Sequence, residues 1–353
     1  MNVKKYLAAF LLASSALAPV SVSAQLAASP NSTEAAKDKI SFEDYVQQLK
    51  SEAIEKGFSS QLVETSFANI TYHKRAVKAD RNQPESVETL ETYLPKRVPD
   101  WKVEKAKDLL AKHNKELTKI GKQFGVQPRF IVSLWALESN FGKITGNFNV
   151  VSALATMAYD GRRESFFKSQ LFDALTILDQ GHIKIDEMKG SWAGAMGHNQ
   201  FMPSSFLAYA ADGDGDGKKD IWNNTSDVFA SIANYLSQVG WNNDITWARQ
   251  VKLPENFDYK LAIPQRTGGR KPWLKAWSRT EMKLSDWQKV GVRKFDGGNL
   301  PNVDITAALV FPDGEEGRAY LAYDNYKSLM HWNLSYYFVT SVGHLADKIK
   351  FAK

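Results

Sequence analysis

Apolar positions recur at helical spacing over most of the chain. From Ser41 the run Ser-Phe-Glu-Asp has the form of a capped helix start, and Phe42, Tyr45, Val46 and Leu49 follow on one face. Helical periodicity continues to about residue 180. It is broken at Pro84, between Pro95 and Pro99, and between Gly125 and Pro128, where proline or glycine ends a helix. After Trp241 the period changes. Residues 245–312 hold short mixed runs, among them 246–253 and 304–311, separated by glycine and proline turns, and these predict strands. A helix returns from about Ser335 to Ile349. No internal repeat is evident. The pattern predicts a mainly α fold in consecutive pieces: a helical body over 41–245, whose N-terminal helical part is 41–125, a small β-containing subdomain over 246–320, and a C-terminal segment, 321–353, that returns to the body.

The first residues follow a different rule. Lys4 and Lys5 precede an apolar run from Leu7 to Ala18, and Val22-Ser23-Ala24 stands before Gln25. That order is a secretory signal peptide over 1–24. The apolar run is too short for a membrane anchor and is interrupted by serines and Pro19. Residues 25–40 are small and polar and read as a linker. The chain has no cysteine, which excludes disulfides, thiolate metal sites, cysteine nucleophiles and lipid attachment through cysteine. A soluble protein of an exported compartment is the expectation, with no membrane anchor. Removal of the leader leaves 43 basic residues against 39 acidic, a net charge of +4. The charges form no long basic arm, so nucleic acid is not an expected partner.

The segment from Phe130 to Gly142 carries the clearest chemistry. Ile131, Leu134, Trp135 and Glu138 fall at i, i+3, i+4 and i+7, so a glutamate shares a buried stripe with an indole and aliphatic groups. Burial there removes hydration and raises a carboxyl pKa, which suits a general acid near neutral pH. Gly142 offers a helix stop. The bland alternative is a rim glutamate turned to water or paired with an arginine.

Two further segments have the composition of a ligand-lining surface. Gly190–Ser205 packs glycines and alanines around Gln200 and stops at Pro203; small residues permit close backbone approach, and Ser191 and Gln200 can hydrogen-bond sugar hydroxyls or an acetamido group. A tightly packed loop entering a helix would look the same. Arg162 and Arg163 follow an Asp-Gly turn and could hold carboxylates, or simply begin a solvated helix. Asp212, Asp214 and Asp216 occupy positions 1, 3 and 5 of a loop resembling an EF-hand, with Lys218 offering a backbone carbonyl at 7 and Asp220 at 9. Asn223 stands where a bidentate glutamate is usual, and Asp227, four residues on, could supply that ligand. Close like charges call for a cation, so structural calcium is expected, and no cofactor for the chemistry.

Together these segments resemble the B-type lytic murein transglycosylases of the lysozyme-like superfamily, from about Tyr93 to Ile349. The motifs are Glu138-Ser-Asn-Phe-Gly, Gly194-Ala-Met-Gly-His-Asn-Gln-Phe-Met-Pro-Ser, the Asp212 loop, Ser231-Ile-Ala-Asn-Tyr235 and Trp332-Asn-Leu-Ser. The resemblance implies a lysozyme-like α+β body acting in the periplasm on peptidoglycan glycan strands, with Glu138 as the single acid/base. It assigns substrate contacts to Ser191, Gln200, Tyr235 and Asn333, to Arg162 and Arg163, and to Tyr93. Phe166 stands where the family has a tyrosine, and His198-Asn199 precede the glutamine in place of small or aromatic residues. The implied reaction cuts the β-1,4 bond between N-acetylmuramic acid and N-acetylglucosamine to give a 1,6-anhydro sugar. Machinery for cell-wall synthesis or secretion is the class of protein partner it implies. A hydrolytic muramidase and a non-catalytic peptidoglycan-binding scaffold are the alternatives; the first needs a base beyond scattered acids such as Asp160 and Glu164.

Overall fold

The computed structural model describes residues 40–81, 88–264 and 267–350. The signal peptide, nearly all of the linker and Pro84 lie outside the described residues. No helix among the described residues is long and apolar enough to cross a membrane. The described residues are mostly helical, as the periodicity predicts, with a five-stranded antiparallel sheet and a two-stranded one. The chain divides into two compact units, and each draws on separated stretches of sequence.

The smaller unit contains residues up to Val87 and returns for Thr145–Ala208. Its first helix, Phe42–Glu55, begins as the sequence predicts: the Ser41 hydroxyl accepts the Asp44 N–H at 3.0 Å, and Phe42, Tyr45, Val46 and Leu49 are buried. At its centre is Val150–Asp160, in which every residue from Val150 to Ala158 is buried. A helix apolar all round needs cover on all sides. Helices Phe42–Glu55, Ser60–Phe67, Lys74–Arg81 and Glu164–Asp179 supply it. A two-residue antiparallel pair, Phe148–Asn149 with Lys189–Gly190, ties the glycine-rich segment to the start of this helix.

The larger unit contains Glu88–Ile144 and Tyr209 onward. Its core helix is Pro128–Ser139, opened by a proline at its first position and preceded by Gly125 in the left-handed cap of the helix before it. Residues 129–136 are all buried beneath Asp100–Lys112, Asn114–Phe124, Thr225–Gln238 and the C-terminal helix Tyr336–Ile349. The strands of the five-stranded sheet fall between Ala248 and Ala322, in the order Met282–Lys283, Thr306–Val310, Ala319–Ala322, Ala248–Lys252, Arg293–Lys294. Val251, Leu284, Trp287, Leu309 and Leu321 form its core. Gly343 lets Trp247 lie flat on the C-terminal helix, since a Cβ there would stand 2.1 Å from the indole ring. Trp247 Nε1 and Arg129 Nη1 then share the Asp347 carboxylate at 3.0 and 2.8 Å, which fixes the C-terminal helix to both the sheet and the core helix.

Candidate active site

Glu138 occupies the last turn of the core helix, where the apolar stripe meets the surface. The chain leaves the helix sharply: Asn140, Phe141 and Gly142 all have positive φ, at 50°, 60° and 80°. A left-handed phenylalanine costs on the order of 1 kcal/mol or more, and packing must offset it. Phe141 is 8% exposed with its ring edge-on to Trp135 at 5.5 Å, and the Ser139 hydroxyl accepts the Gly142 N–H at 3.0 Å. The stop is therefore a three-residue left-handed turn, of which Gly142 is only the end.

The Glu138 carboxyl accepts a hydrogen bond from Trp332 Nε1 at Oε1, 2.6 Å long. Burial pushes its pKa up to about 7, and the indole N–H opposes that rise. Trp332 ends the helix Asp324–Trp332, and its ring packs on Tyr235 at 4.5 Å. The Tyr235 ring packs in turn on Tyr209 at 4.2 Å. The Tyr235 hydroxyl lies 3.0 Å from His331 Nδ1 and donates to the His331 carbonyl at 2.9 Å. Burial, reinforced by Arg270, lowers His331 to about 4, so its imidazole is neutral at pH 7. Asn333 follows Trp332 as the helix cap and remains partly exposed. Glu138, Trp332, Tyr235, His331 and Asn333 are thus one cluster drawn from three helices. Tyr93, in the same unit, is 6% exposed, edge-on to Tyr337 at 5.2 Å with Arg97 over its ring at 5.1 Å.

The remaining predicted contacts belong to the smaller unit. Ser191 closes a tight turn: its N–H and the Ala195 carbonyl pair at 2.7 Å, and its hydroxyl accepts the Ala195 N–H at 3.0 Å, leaving the O–H proton to donate. Gly190 is required here, because a Cβ would meet the Ala195 carbonyl at 2.2 Å. Gln200 has φ 49° and spends both amide protons on the Thr145 and Gly197 carbonyls, at 3.0 and 2.8 Å. Its side-chain carbonyl is therefore the part free to accept. Arg162 and Arg163 both pair with the buried Asp80, Arg163 at 2.7 Å. The sequence reading gave the arginines no protein partner, yet this acid anchors them to the helix Lys74–Arg81.

In the aspartate loop, carboxylate oxygens of Asp212, Asp214 and Asp227 come within 4.8 Å of one another. Asp227 is fully buried and accepts the Gly213 and Asp220 N–H groups at 2.7 and 2.6 Å; burial still pushes its pKa up to about 6. Asp216 and Asp220 lie outside that cluster. Asp216 accepts the Lys218 N–H, and Asp220 accepts those of Trp222 and Asn223. Asp212 accepts Gly215 and Gly217. The loop is wound around its own carboxylates.

The family model for the transglycosylase SLT domain matches residues 41–347, nearly the whole described chain. The chain belongs to this family. Among transglycosylase SLT domain relatives, membrane-bound lytic murein transglycosylase B of Escherichia coli (strain K12) is 35% identical over 148 residues. That stretch is 40% of this chain and 41% of the relative, so less than half of either protein is aligned. The crystal structure of SltB3 from Pseudomonas aeruginosa, in complex with NAG-NAM-pentapeptide, is similar over 88% of this chain and 80% of that one, with a TM-score of 0.81 and 37% identity. Soluble lytic transglycosylase SltB1 from the same organism is similar over 86% and 97%, with a TM-score of 0.73 and 28% identity. The resemblance to B-type lytic transglycosylases drawn from the five motifs is borne out. Trp332 and His331 were missed as functional residues. The first was quoted within a motif without a role, and no local spacing links either to a carboxylate about 190 positions earlier.

Proposed function

We propose that this protein is a periplasmic lytic transglycosylase that cuts peptidoglycan between N-acetylmuramic acid and N-acetylglucosamine, with Glu138 as its single acid and base. The observation that carries this reading is a glutamate held near pKa 7 by burial, with one indole donor and no neighbouring carboxylate contributing to its shift. At neutral pH a large fraction is protonated and can donate to the glycosidic oxygen. An indole N–H only donates, so Oε1 accepts it, which favours the acidic proton on Oε2. With no carboxylate paired with Glu138 among the described residues, the developing cation falls to the substrate's own acetamido group, as in the substrate-assisted exceptions to two-carboxylate hydrolysis. Glu138, now ionised, then takes the proton of the C6 hydroxyl as that oxygen attacks C1, giving a 1,6-anhydro product without consuming water.

Tyr235, Asn333, the Ser191 hydroxyl and the Gln200 carbonyl are the proposed sugar contacts. Tyr93, Arg162 and Arg163 are proposed as further contacts, the arginines through donors not used on Asp80. The SltB3 complex with NAG-NAM-pentapeptide supports the substrate class. Calcium at Asp212, Asp214 and Asp227 fits the donor set, because three carboxylates this close repel strongly unless a cation offsets them. Asp216, Asp220 and the Lys218 carbonyl complete the proposed loop site, and the ion's role is to stiffen it.

The test is mass spectrometry of purified peptidoglycan digested by the protein, with Glu138→Gln in parallel. Anhydro-muropeptides from the wild type alone are expected. Reducing-end products would replace this reading with a muramidase, and intact wall that still binds the protein would replace it with a scaffold.

A further inference from the structure

Within the larger unit lies a hollow of about 310 Å³, separate from the groups that touch Glu138. Arg270, Trp273 and Leu274, from the start of the helix Arg270–Thr280, line one part of it; Lys327, Met330 and His331, from the helix Asp324–Trp332, line another. Arg270 is half-buried. Its Nη2 donates to the His331 carbonyl at 2.5 Å, while its Nε is shielded from solvent and makes no hydrogen bond. No carboxylate among the described residues pairs with it, and the groups that act on its charge are Tyr235 and Tyr209. Lys327 is already neutralised by Asp324 at 2.7 Å, and His331 is uncharged at pH 7. The lining therefore carries one net positive charge, and it resides on Arg270.

A half-buried guanidinium without a counter-charge loses hydration that an anion would restore. The planar fork of donors matches a carboxylate. Because Arg270 opens its helix, the first-turn N–H groups add to the positive potential. Apart from Gly240 and the Ser328 hydroxyl, the rest of the lining is apolar, from Val239, Trp273, Leu274 and Met330. One positive charge beside an apolar recess suits a singly charged carboxylate attached to a small aliphatic side chain better than a phosphate.

We propose that this hollow binds the C-terminal carboxylate of a short peptide, with Arg270 gripping the carboxylate and Trp273, Leu274 and Met330 receiving the small side chain. The hollow shares structure with the Glu138 cluster. His331, whose carbonyl takes the Arg270 bond, also takes the Tyr235 hydroxyl; Tyr235 stacks on Trp332, and Trp332 holds Glu138. The peptide is then the stem carried by the glycan strand, an identification that rests on the transglycosylase reading above.

The test is titration of the full chain, followed by NMR, with N-acetylated alanyl-alanine carrying a free C-terminus, in its L and D forms. The same dipeptide amidated at the C-terminus and lactate as a bare carboxylate serve as comparisons. The free dipeptide in at least one form should perturb the Arg270 and His331 resonances, and the amide and lactate should bind at least about tenfold more weakly. Arg270→Gln should lose binding by a similar factor. Leu274→Trp, which fills the hollow from a partly exposed position and leaves the guanidinium in place, should do the same in a protein of unchanged melting temperature. An amide that binds as well as the acid, lactate that binds as well as the dipeptide, binding that survives Arg270→Gln, or no binding of either dipeptide would overturn the proposal. Turnover plays no part in this readout. A protein that binds the dipeptide but leaves peptidoglycan uncut refutes only the transglycosylase reading; one that cuts without binding the dipeptide refutes only the hollow.

Discussion

Replacing Trp332 by phenylalanine removes the indole N–H together with part of a buried ring, so in a variant of unchanged melting temperature it probes how Glu138 is tuned. The indole bond at 2.6 Å opposes the rise that burial imposes on the carboxyl. A hydrogen bond to an ionised carboxylate is worth about 1.5–3 kcal/mol, and one to a neutral carbonyl oxygen about 1 kcal/mol. The difference, about 0.5–2 kcal/mol, is what the ionised form alone loses. At 1.36 kcal/mol per pH unit, the Glu138 pKa should climb about one pH unit above its present value near 7. General acid catalysis needs the protonated form, so activity falls as pH rises through that pKa. In Trp332→Phe the alkaline limb of the pH–rate profile for anhydro-product formation should therefore move upward by about one unit. The plateau should drop on the order of tenfold to hundredfold, part of the 10²–10⁴-fold that a positioned acid supplies, because nothing then keeps the proton on Oε2. Carboxyl ¹³C NMR of Glu138 reads the same displacement without turnover. An alkaline limb that stays in place or moves down, in a variant whose melting temperature is unchanged, would refute this account of the indole.

Glu138 also affects stability, and the sign follows from its raised pKa: a folded-state value near 7, against about 4.5 in the unfolded chain, gives a contribution fully present below pH 4.5 and lost as pH rises through 7. Glu138→Gln should abolish cleavage and melt higher than wild type at pH 8, by up to about 3 kcal/mol in stability, with no gain at pH 4; an equal gain at both pH values would sink the argument. Chelation of calcium should lower the melting temperature of the larger unit by several degrees and added calcium should restore it, while Asp227→Asn should remove that calcium response; a melting curve indifferent to chelator would count against a bound ion.

What could be seen in the sequence is what depends on near neighbours along the chain. The Ser41 cap, the buried face of the first helix, the C-terminal helix at Tyr336–Ile349 and the stripe that includes Glu138 all follow from spacings of three and four residues. The burial that raises the Glu138 pKa belongs only partly to this class: the stripe sets the carboxyl beside the apolar groups of its own helix, while Trp332 reaches it from a helix far along the chain. Partners distant in sequence were not visible. Asp80 lies more than 80 positions before the arginines it holds, and an Asp-Gly turn followed by two arginines reads equally well as a solvated helix start. Within the aspartate loop the spacing nominated six residues, but spacing does not say which oxygens local N–H groups will occupy. Asp216 and Asp220 accept such donors outside the cluster, while Asp227 is drawn in through the N–H groups of Gly213 and Asp220. The two units, each assembled from separated stretches, are invisible to any reading that divides the chain consecutively.

The same division explains how chemistry is arranged around Glu138. Its pKa needs only to be high, and burial achieves that. Delivery of the proton needs direction, which one helix cannot give to a side chain at its own end. The direction comes from Trp332, 194 residues later, through a donor that cannot accept. Trp332 is itself held by Tyr235, whose hydroxyl is occupied by His331, the residue that receives the unpaired Arg270. A change at Arg270 therefore reaches the acid through packed rings and hydrogen bonds, with no charged group moving near Glu138. Such a path alters the placement of the proton more than the pKa. Arg270→Gln should lower the plateau rate while leaving the alkaline limb near pH 7, whereas Trp332→Phe changes both.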